Sequence, residues 1–258
     1  MKDKCKLLIA VLMVIGIWTA PSQAAQTARP IEAMEWSFAG AFGTYDRNAL
    51  RRGFQVYKEV CAACHGMKYL FFRNLSQAGG PEFSEAEVKA IAAEYNVEDG
   101  PDEFGDMYER SGLPRDRFIE PFPNQNAARA ANSGAFPPDL SLIVKSYAGG
   151  ADFIHALLMG YEDTPQGMQM DVGFYYNPYI EGEKIAMPPP LVDDLVEYAD
   201  GTPATREQMS LDVTHFLSWA SEPELEARHR IGFMVMIYLF IFAGLMYFSM
   251  RKIWSNQH

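Results

Sequence analysis

The sequence predicts a mainly α fold: one helical domain interrupted by long loops, then a single C-terminal transmembrane helix. Three observations predict it. Apolar residues recur at helical spacing behind capping signals, strand-like alternation is weak throughout, and Ile231–Met250 is an uncharged run of twenty residues. At 1.5 Å per residue such a run covers the roughly 30 Å hydrocarbon core of a bilayer. Arg228, His229 and Arg230 flank one end, and Arg251, Lys252 and Trp254 the other.

At the other end of the chain, Lys2, Lys4 and Lys6 precede the apolar run Leu7–Ile17, followed by Pro21 and the small-residue site Ser22-Gln23-Ala24. That order is a secretory signal peptide cleaved near Ala24 or Ala25. Cys5 lies before the run, where a lipid-anchor cysteine would follow it. The chain therefore divides into a signal peptide (1–24), an exported domain (25–227), an anchor (228–252) and a cytoplasmic tail (253–258). Basic residues on both sides of the anchor leave the positive-inside rule silent, and export of the body orients it. About 200 residues are enough to bury a core and enclose a cofactor. Formal charge is −11, and removal of the signal, net +2, leaves −13. That balance argues against nucleic acid and anionic lipid surfaces as partners and suits a basic docking protein.

The elements follow in order. Residues 25–47, with Trp36, Phe38, Phe42 and Tyr45, read as an extended arm packing on the domain. Asp46 caps a helix whose apolar face runs Leu50, Phe54, Tyr57, Cys61 and Cys64, placing both thiols on its buried side, with Gly66 ending it. Tyr69, Phe71 and Phe72 form an aromatic cluster, either cofactor wall or ordinary core. Ser84-Glu85-Ala86-Glu87 is a capping box opening a helix to about Tyr95. From Glu82 to Glu120 there are twelve acidic and four basic residues, either a solvated face or a docking surface. Short helical pieces follow at 126–132, 140–145 and 151–159. Residues 161–190 are mostly loop, punctuated by Pro165, Gly167, Gly173, Pro178 and Gly182. Thr205-Arg206-Glu207-Gln208 is a second capping box before a helix with Met209, Val213, Phe216, Leu217 and Ala220 on its apolar face, and Pro223 turns the chain into the anchor.

Chemistry concentrates in Cys61-Ala62-Ala63-Cys64-His65. Two thiols spaced C-x-x-C can add across the vinyl groups of a haem, and the histidine that follows can supply an axial ligand to iron. A zinc half-site would want a second Cys/His pair at metal spacing, and a redox dithiol a βαβ setting; neither is visible. With the signal removed, no cysteine besides this pair remains for a disulfide. For a sixth ligand the candidate methionines are Met107, Met159, Met168, Met170 and Met187, while His155, His215, His229 and His258 read as core or interfacial residues. Met187 has the best context, because Pro188, Pro189 and Pro190 directly after it fix φ and remove competing donors.

Several blocks carry a family resemblance. The motif with Met67, Arg73 and Leu75 is one; the others are Ala128–Asn132 with Gly134–Ser141, Tyr176–Tyr179, Ala186–Pro189, Glu197–Ala204 and Trp219–Glu224. In this order, ahead of one C-terminal anchor, they make the chain resemble the cytochrome c1 family, the haem subunits of the cytochrome bc1 complex (ubiquinol–cytochrome c oxidoreductase). The resemblance implies a cytochrome-c-like haem domain with loop insertions. It also implies one haem c on thioethers from Cys61 and Cys64, with His65 and Met187 on the iron and Asn132, Pro137 and Pro138 lining the pocket. One departure concerns the arginine that usually follows Ser141 and reaches a propionate, since here the stretch reads Leu142–Tyr147 and leaves Lys145 or Tyr147 for that contact. The implied activity is transfer of an electron from a Rieske iron–sulfur protein to a soluble cytochrome c. Implied partners are cytochrome b and membrane lipid, and the implied location is a bacterial inner membrane with the haem domain on the periplasmic side. A haem peroxidase would need an open sixth position and usually a second haem. A free-standing anchored carrier or an oxidase subunit would not need the ordered blocks.

Overall fold

The computed structural model describes residues 29–255; the expected signal peptide, Cys5 and His258 lie outside them. The elements are α1 (Arg47–Glu59), a 3-10 turn (Cys61–Ala63), a second one (Phe72–Ser76), α2 (Glu85–Ala93), a hairpin of β1 (Asn96–Asp99) and β2 (Tyr108–Ser111), then α3 (Gln125–Ala131), α4 (Ile143–Ser146) and α5 (Gly150–Met159). A two-residue ribbon of β3 (Tyr175–Tyr176) and β4 (Lys184–Ile185) precedes α6 (Arg206–Ser221) and α7 (Leu225–Ser255). The fold is mainly α, as the sequence predicts.

The domain is built on α1 against α6. Leu50, Phe54, Val56 and Tyr57 meet Met209, Val213, Phe216, Leu217 and Trp219, all buried. Each such side chain contributes about 1.5–3 kcal/mol on burial. The approach is close because residue 53 is glycine: a Cβ there would lie 2.0 Å from the Asp212 carbonyl oxygen. Beside that contact Arg52 grips the buried Asp212 carboxylate with two hydrogen bonds, of 2.8 and 2.9 Å. Capping follows the sequence. Asp46 accepts from the backbone of Asn48 and Ala49, and Ser84 with Glu87 forms a full capping box. At α6 only half a box forms: Thr205 accepts from Gln208 N, while the Gln208 amide turns to Asp212.

The structure corrects two expectations. Helix α1 ends at Glu59, and the chain tightens so that the Cys64 and His65 N–H groups both return to the Cys61 carbonyl. This turn leaves Cys61 half-buried and swings Cys64 to the surface, so the two thiols do not share the buried helical face. The acidic stretch also contains a hairpin where only loop was expected. It is held less by apolar burial than by Arg110, which bonds Asp99 and also bonds Asp116 at 2.6 and 2.9 Å. The arm docks as expected: Trp36 stacks on Phe38 and donates to Asp152 at 2.6 Å. Helix α7 is long and apolar enough to cross a membrane, and its apolar run is exposed along nearly its whole length.

Candidate haem site

The C-x-x-C-H run lies beside the segment 138–141, and four hydrogen bonds join the two. The His65 ring Nδ1 bonds the Pro138 carbonyl at 2.8 Å. Leu140 N donates to Gly66 O at 2.9 Å, Lys68 N to Asp139 Oδ2 at 2.8 Å, and Tyr69 N to Ser141 Oγ at 3.1 Å. Asp139 also accepts from Ser141 N at 3.0 Å. Pro137 disfavours helical backbone at the preceding residue, and residues 135–139 form no helix, which leaves the Pro138 carbonyl open to the imidazole.

A carbonyl can only accept, so Nδ1 of His65 is the N–H tautomer and Nε2 keeps a free lone pair. Burial lowers the His65 pKa, against the opposing pull of the Pro138 carbonyl and Asp139, and this favours the neutral ring a metal requires. Burial pushes the Cys61 thiol up to about 12, with Cys64 adding to the shift. Among the described residues no group of three or more His, Cys, Asp or Glu side chains converges as a zinc site would. The donor set of two free thiols and one oriented imidazole fits a c-type haem.

The other expected residues lie on neighbouring loops. Asn132 closes α3, its side-chain amide donating to Ala128 O at 2.7 Å. The next residue, Ser133, lies against the turn at Gly173, where a Cβ would be 4.0 Å from its own. From that turn the chain enters β3, whose Tyr175 pairs with Ile185 of β4. Met187 follows two residues later, half-buried, with its carbonyl accepting from the Tyr161 hydroxyl at 3.1 Å. Phe136, Phe174 and Tyr175 are each about 40% exposed along this path. Met187 is thus linked to the His65 loop through a series of loops, not by a direct bond.

The structure also places the remaining candidates, with His155, His215 and Phe72 packed in the domain as expected. Phe72 is core, Tyr69 is exposed, and Phe71 lies between the Arg73 and Arg117 guanidinium groups. Met67 is fully buried and Met107 is exposed on the hairpin. His155 bonds Ser210, His215 bonds Leu211 O, and both pack on Trp36. Lys145 pairs with Glu222, and Tyr147 stacks on Phe153. The roles of Asp139, Ser141 and Tyr161 were missed. Asp139 and Ser141 sit inside a recognisable block, but Tyr161 carries no sequence signal beyond a lone tyrosine after Gly160.

Fold and donor set together define a c-type haem protein with one long apolar helix at its C-terminus. The family model described as Cytochrome C1 family matches residues 36–257, and the chain belongs to the cytochrome c1 family. Cytochrome c1 of Rhodospirillum rubrum is 44% identical over 267 residues, covering 97% of each chain. Cytochrome b/c1 of Bradyrhizobium diazoefficiens is 53% identical over 243 residues, 87% of this chain but 35% of that protein. The Solanum tuberosum protein named cytochrome c1-2, heme protein, mitochondrial, is 51% identical over 198 residues, 77% of this chain and 75% of its own. The chain spans about a third of the Bradyrhizobium protein and nearly all of the Rhodospirillum one. Membership implies a c-type haem and an electron-transfer role within the bc1 complex.

Proposed function

We propose that this chain accepts one electron from a reduced Rieske iron–sulfur protein and delivers it to an oxidised soluble cytochrome c, within ubiquinol–cytochrome c oxidoreductase. The observation that carries this reading is the His65–Pro138 bond, which fixes the imidazole and leaves Nε2 free beside two unpaired thiols. Cys61 and Cys64 would hold haem c by thioethers, His65 and Met187 would take the two axial positions, and Asn132, Pro137 and Pro138 would line the pocket. Bound there, the haem supplies a one-electron couple whose ferrous state a thioether ligand favours. The work of the chain is positional. Pro138 orients the imidazole, the bonds at Asp139 and Ser141 keep the two segments in register, and Tyr161 restrains the Met187 backbone. The Bradyrhizobium relative is named cytochrome b/c1, which supports cytochrome b as a partner. Helix α7 would cross a bacterial inner membrane, with the domain on the periplasmic side and 253–258 in the cytoplasm.

The test is purification of the full chain through a C-terminal tag in mild detergent, followed by a reduced-minus-oxidised spectrum. The expected result is co-purification of b-type haems and an iron–sulfur protein, with quinol reducing the c haem. A single c haem, alone even after gentle extraction into lipid discs, would make the chain a free-standing anchored carrier.

A further inference from the structure

Between Ser37 and Thr44 the chain carries no charge, and it forms a compact loop against the start of α7. Ala39 N donates to Trp36 O at 3.0 Å, Thr44 N to Ser37 O at 3.0 Å and Gly43 N to Gly40 O at 3.4 Å. Gly40 adopts a φ of +77, and a Cβ on Gly43 would meet the Ala39 carbonyl at 2.3 Å, so the loop closes only with glycine at these points. Its base is fixed to the neck of α7. His229 Nδ1 bonds Gly43 O at 3.3 Å, Tyr45 N donates to Glu226 at 2.8 Å, and Arg47 makes two bonds to the same carboxylate, of 2.8 and 2.7 Å. At its tip Phe42 is 77% exposed. Among the described residues the one ring it touches is Phe233, edge to face with centroids 5.9 Å apart.

A lone exposed phenylalanine carries little meaning; its depth here does. Phe233 is the third residue of the uncharged run and lies three residues beyond Arg230, about 4.5 Å along the helix axis. A bilayer that takes up the run from Ile231, with Arg228 and Arg230 at its headgroups, therefore takes up the ring packed on Phe233 as well. We propose that the loop 39–43 is a second membrane contact, a foot that places Phe42 at the boundary between headgroups and acyl chains. Its ligand is the lipid surface, and its effect is to hold the haem domain at one height and tilt. Two attachments fix an orientation where one helix alone leaves a pivot. This rests on the reading that α7 crosses the membrane.

The test uses the haem-loaded full chain in phosphatidylcholine–phosphatidylglycerol nanodiscs, with nitroxide labels placed one at a time through Phe42→Cys, Ala41→Cys, Phe240→Cys and Phe104→Cys. Collision with oxygen, which concentrates in lipid, is compared with collision with a water-soluble nickel complex, and the labelled unsubstituted chain sets the background. At positions 42 and 41 the oxygen-to-nickel ratio should be several-fold above that at position 104 and approach that at position 240. A nickel accessibility at 42 and 41 equal to that at 104, with 240 protected, overturns the foot and leaves the anchor standing. Protection of 42 and 41 from both reagents also overturns it, since protein would then cover the loop. Nickel accessibility at 240 would remove the anchor itself.

Discussion

His65 is positioned by a backbone atom, and that explains which part of the site could be read in advance. The C-x-x-C-H spacing announces its chemistry because thiols and an imidazole are rare and distinctive side chains. The Pro138 carbonyl has no such signature, since every residue has one, and only the fold brings it within 2.8 Å of Nδ1. The same holds for Asp139, whose two backbone partners, Lys68 N and Ser141 N, lie on both joined segments. Replacing Asp139→Ala removes the acceptor of one exposed and one part-buried N–H group, and hydrogen bonds of this kind are worth about 0.5–1.5 kcal/mol each. We expect destabilisation of about 2 kcal/mol by urea unfolding and a much smaller effect for Asp139→Asn, which keeps an acceptor oxygen. Equal losses in the two variants would place the defect in charge rather than in hydrogen bonding. Met187 was the best placed of five methionines by its prolines alone, and family resemblance selected it. Met187→Leu should retain covalent haem but lower its midpoint potential in a redox titration, because the thioether's preference for ferrous iron is lost. An unchanged potential would assign the sixth position to another residue.

Among the elements, the helices with caps and a wide apolar stripe were legible, and those whose limits depend on tertiary contacts were not. The periodicity of α1 continues through Cys61 and Cys64, yet the helix stops at Glu59 because a tighter turn carries Cys64 away from the core. Hairpin β1–β2 was missed for a different reason: its half-buried face carries Val97, Asp99 and Arg110, so the alternation in burial is not an alternation of apolar and polar residues. The α1–α6 contact makes a sharper prediction. Gly53→Ala gains helix propensity worth up to about 1 kcal/mol, but its Cβ would enter the Asp212 backbone, which cannot rotate aside. Overpacking of this sort typically costs about 1–3 kcal/mol. The urea midpoint should therefore fall, and a rise would show slack between the helices. Asp200 adds a pH dependence. The Thr202 backbone N–H, then the Arg52 guanidinium, hold its carboxyl down at about 2, below the usual carboxylate range of about 3.9. A depressed folded-state value stabilises above the unfolded one, so the contribution is present above about pH 4 and is lost as pH falls toward 2. Asp200 is 44% exposed, so solvent screening keeps the effect small. Stability measured over that window should be flatter in Asp200→Asn, and an unaltered slope would assign acid sensitivity to other carboxylates.

For the whole molecule, the strong acidic balance is divided unevenly between acids held in salt bridges and acids that no salt bridge among the described residues engages. Within the acidic stretch Glu82 pairs with Arg47, Glu87 with Arg51, Glu94 with Lys58, and Asp99 and Asp116 with Arg110. These charges hold the fold together and are partly neutralised. Glu98, Glu103, Asp106 and Glu109 are exposed on or beside the hairpin, near the exposed Phe104, Met107 and Tyr108. Exposed apolar side chains beside acids that no salt bridge among the described residues engages suit a weak complex with a basic protein that forms quickly and separates quickly. The sequence showed the excess of acid but not this partition, because pairing depends on which arginine each loop meets. Neutralising the four exposed acids as Glu→Gln and Asp→Asn should slow association with a basic cytochrome c about tenfold at low ionic strength. The effect should shrink as salt approaches 0.15 M, where the screening length falls to about 8 Å. Neutralising Glu82 and Glu94 instead should lower stability and leave the association rate and its salt dependence near the unsubstituted values. Stopped-flow electron transfer across a salt series separates the two outcomes, and a salt slope unchanged by the first set would move the docking surface off the hairpin.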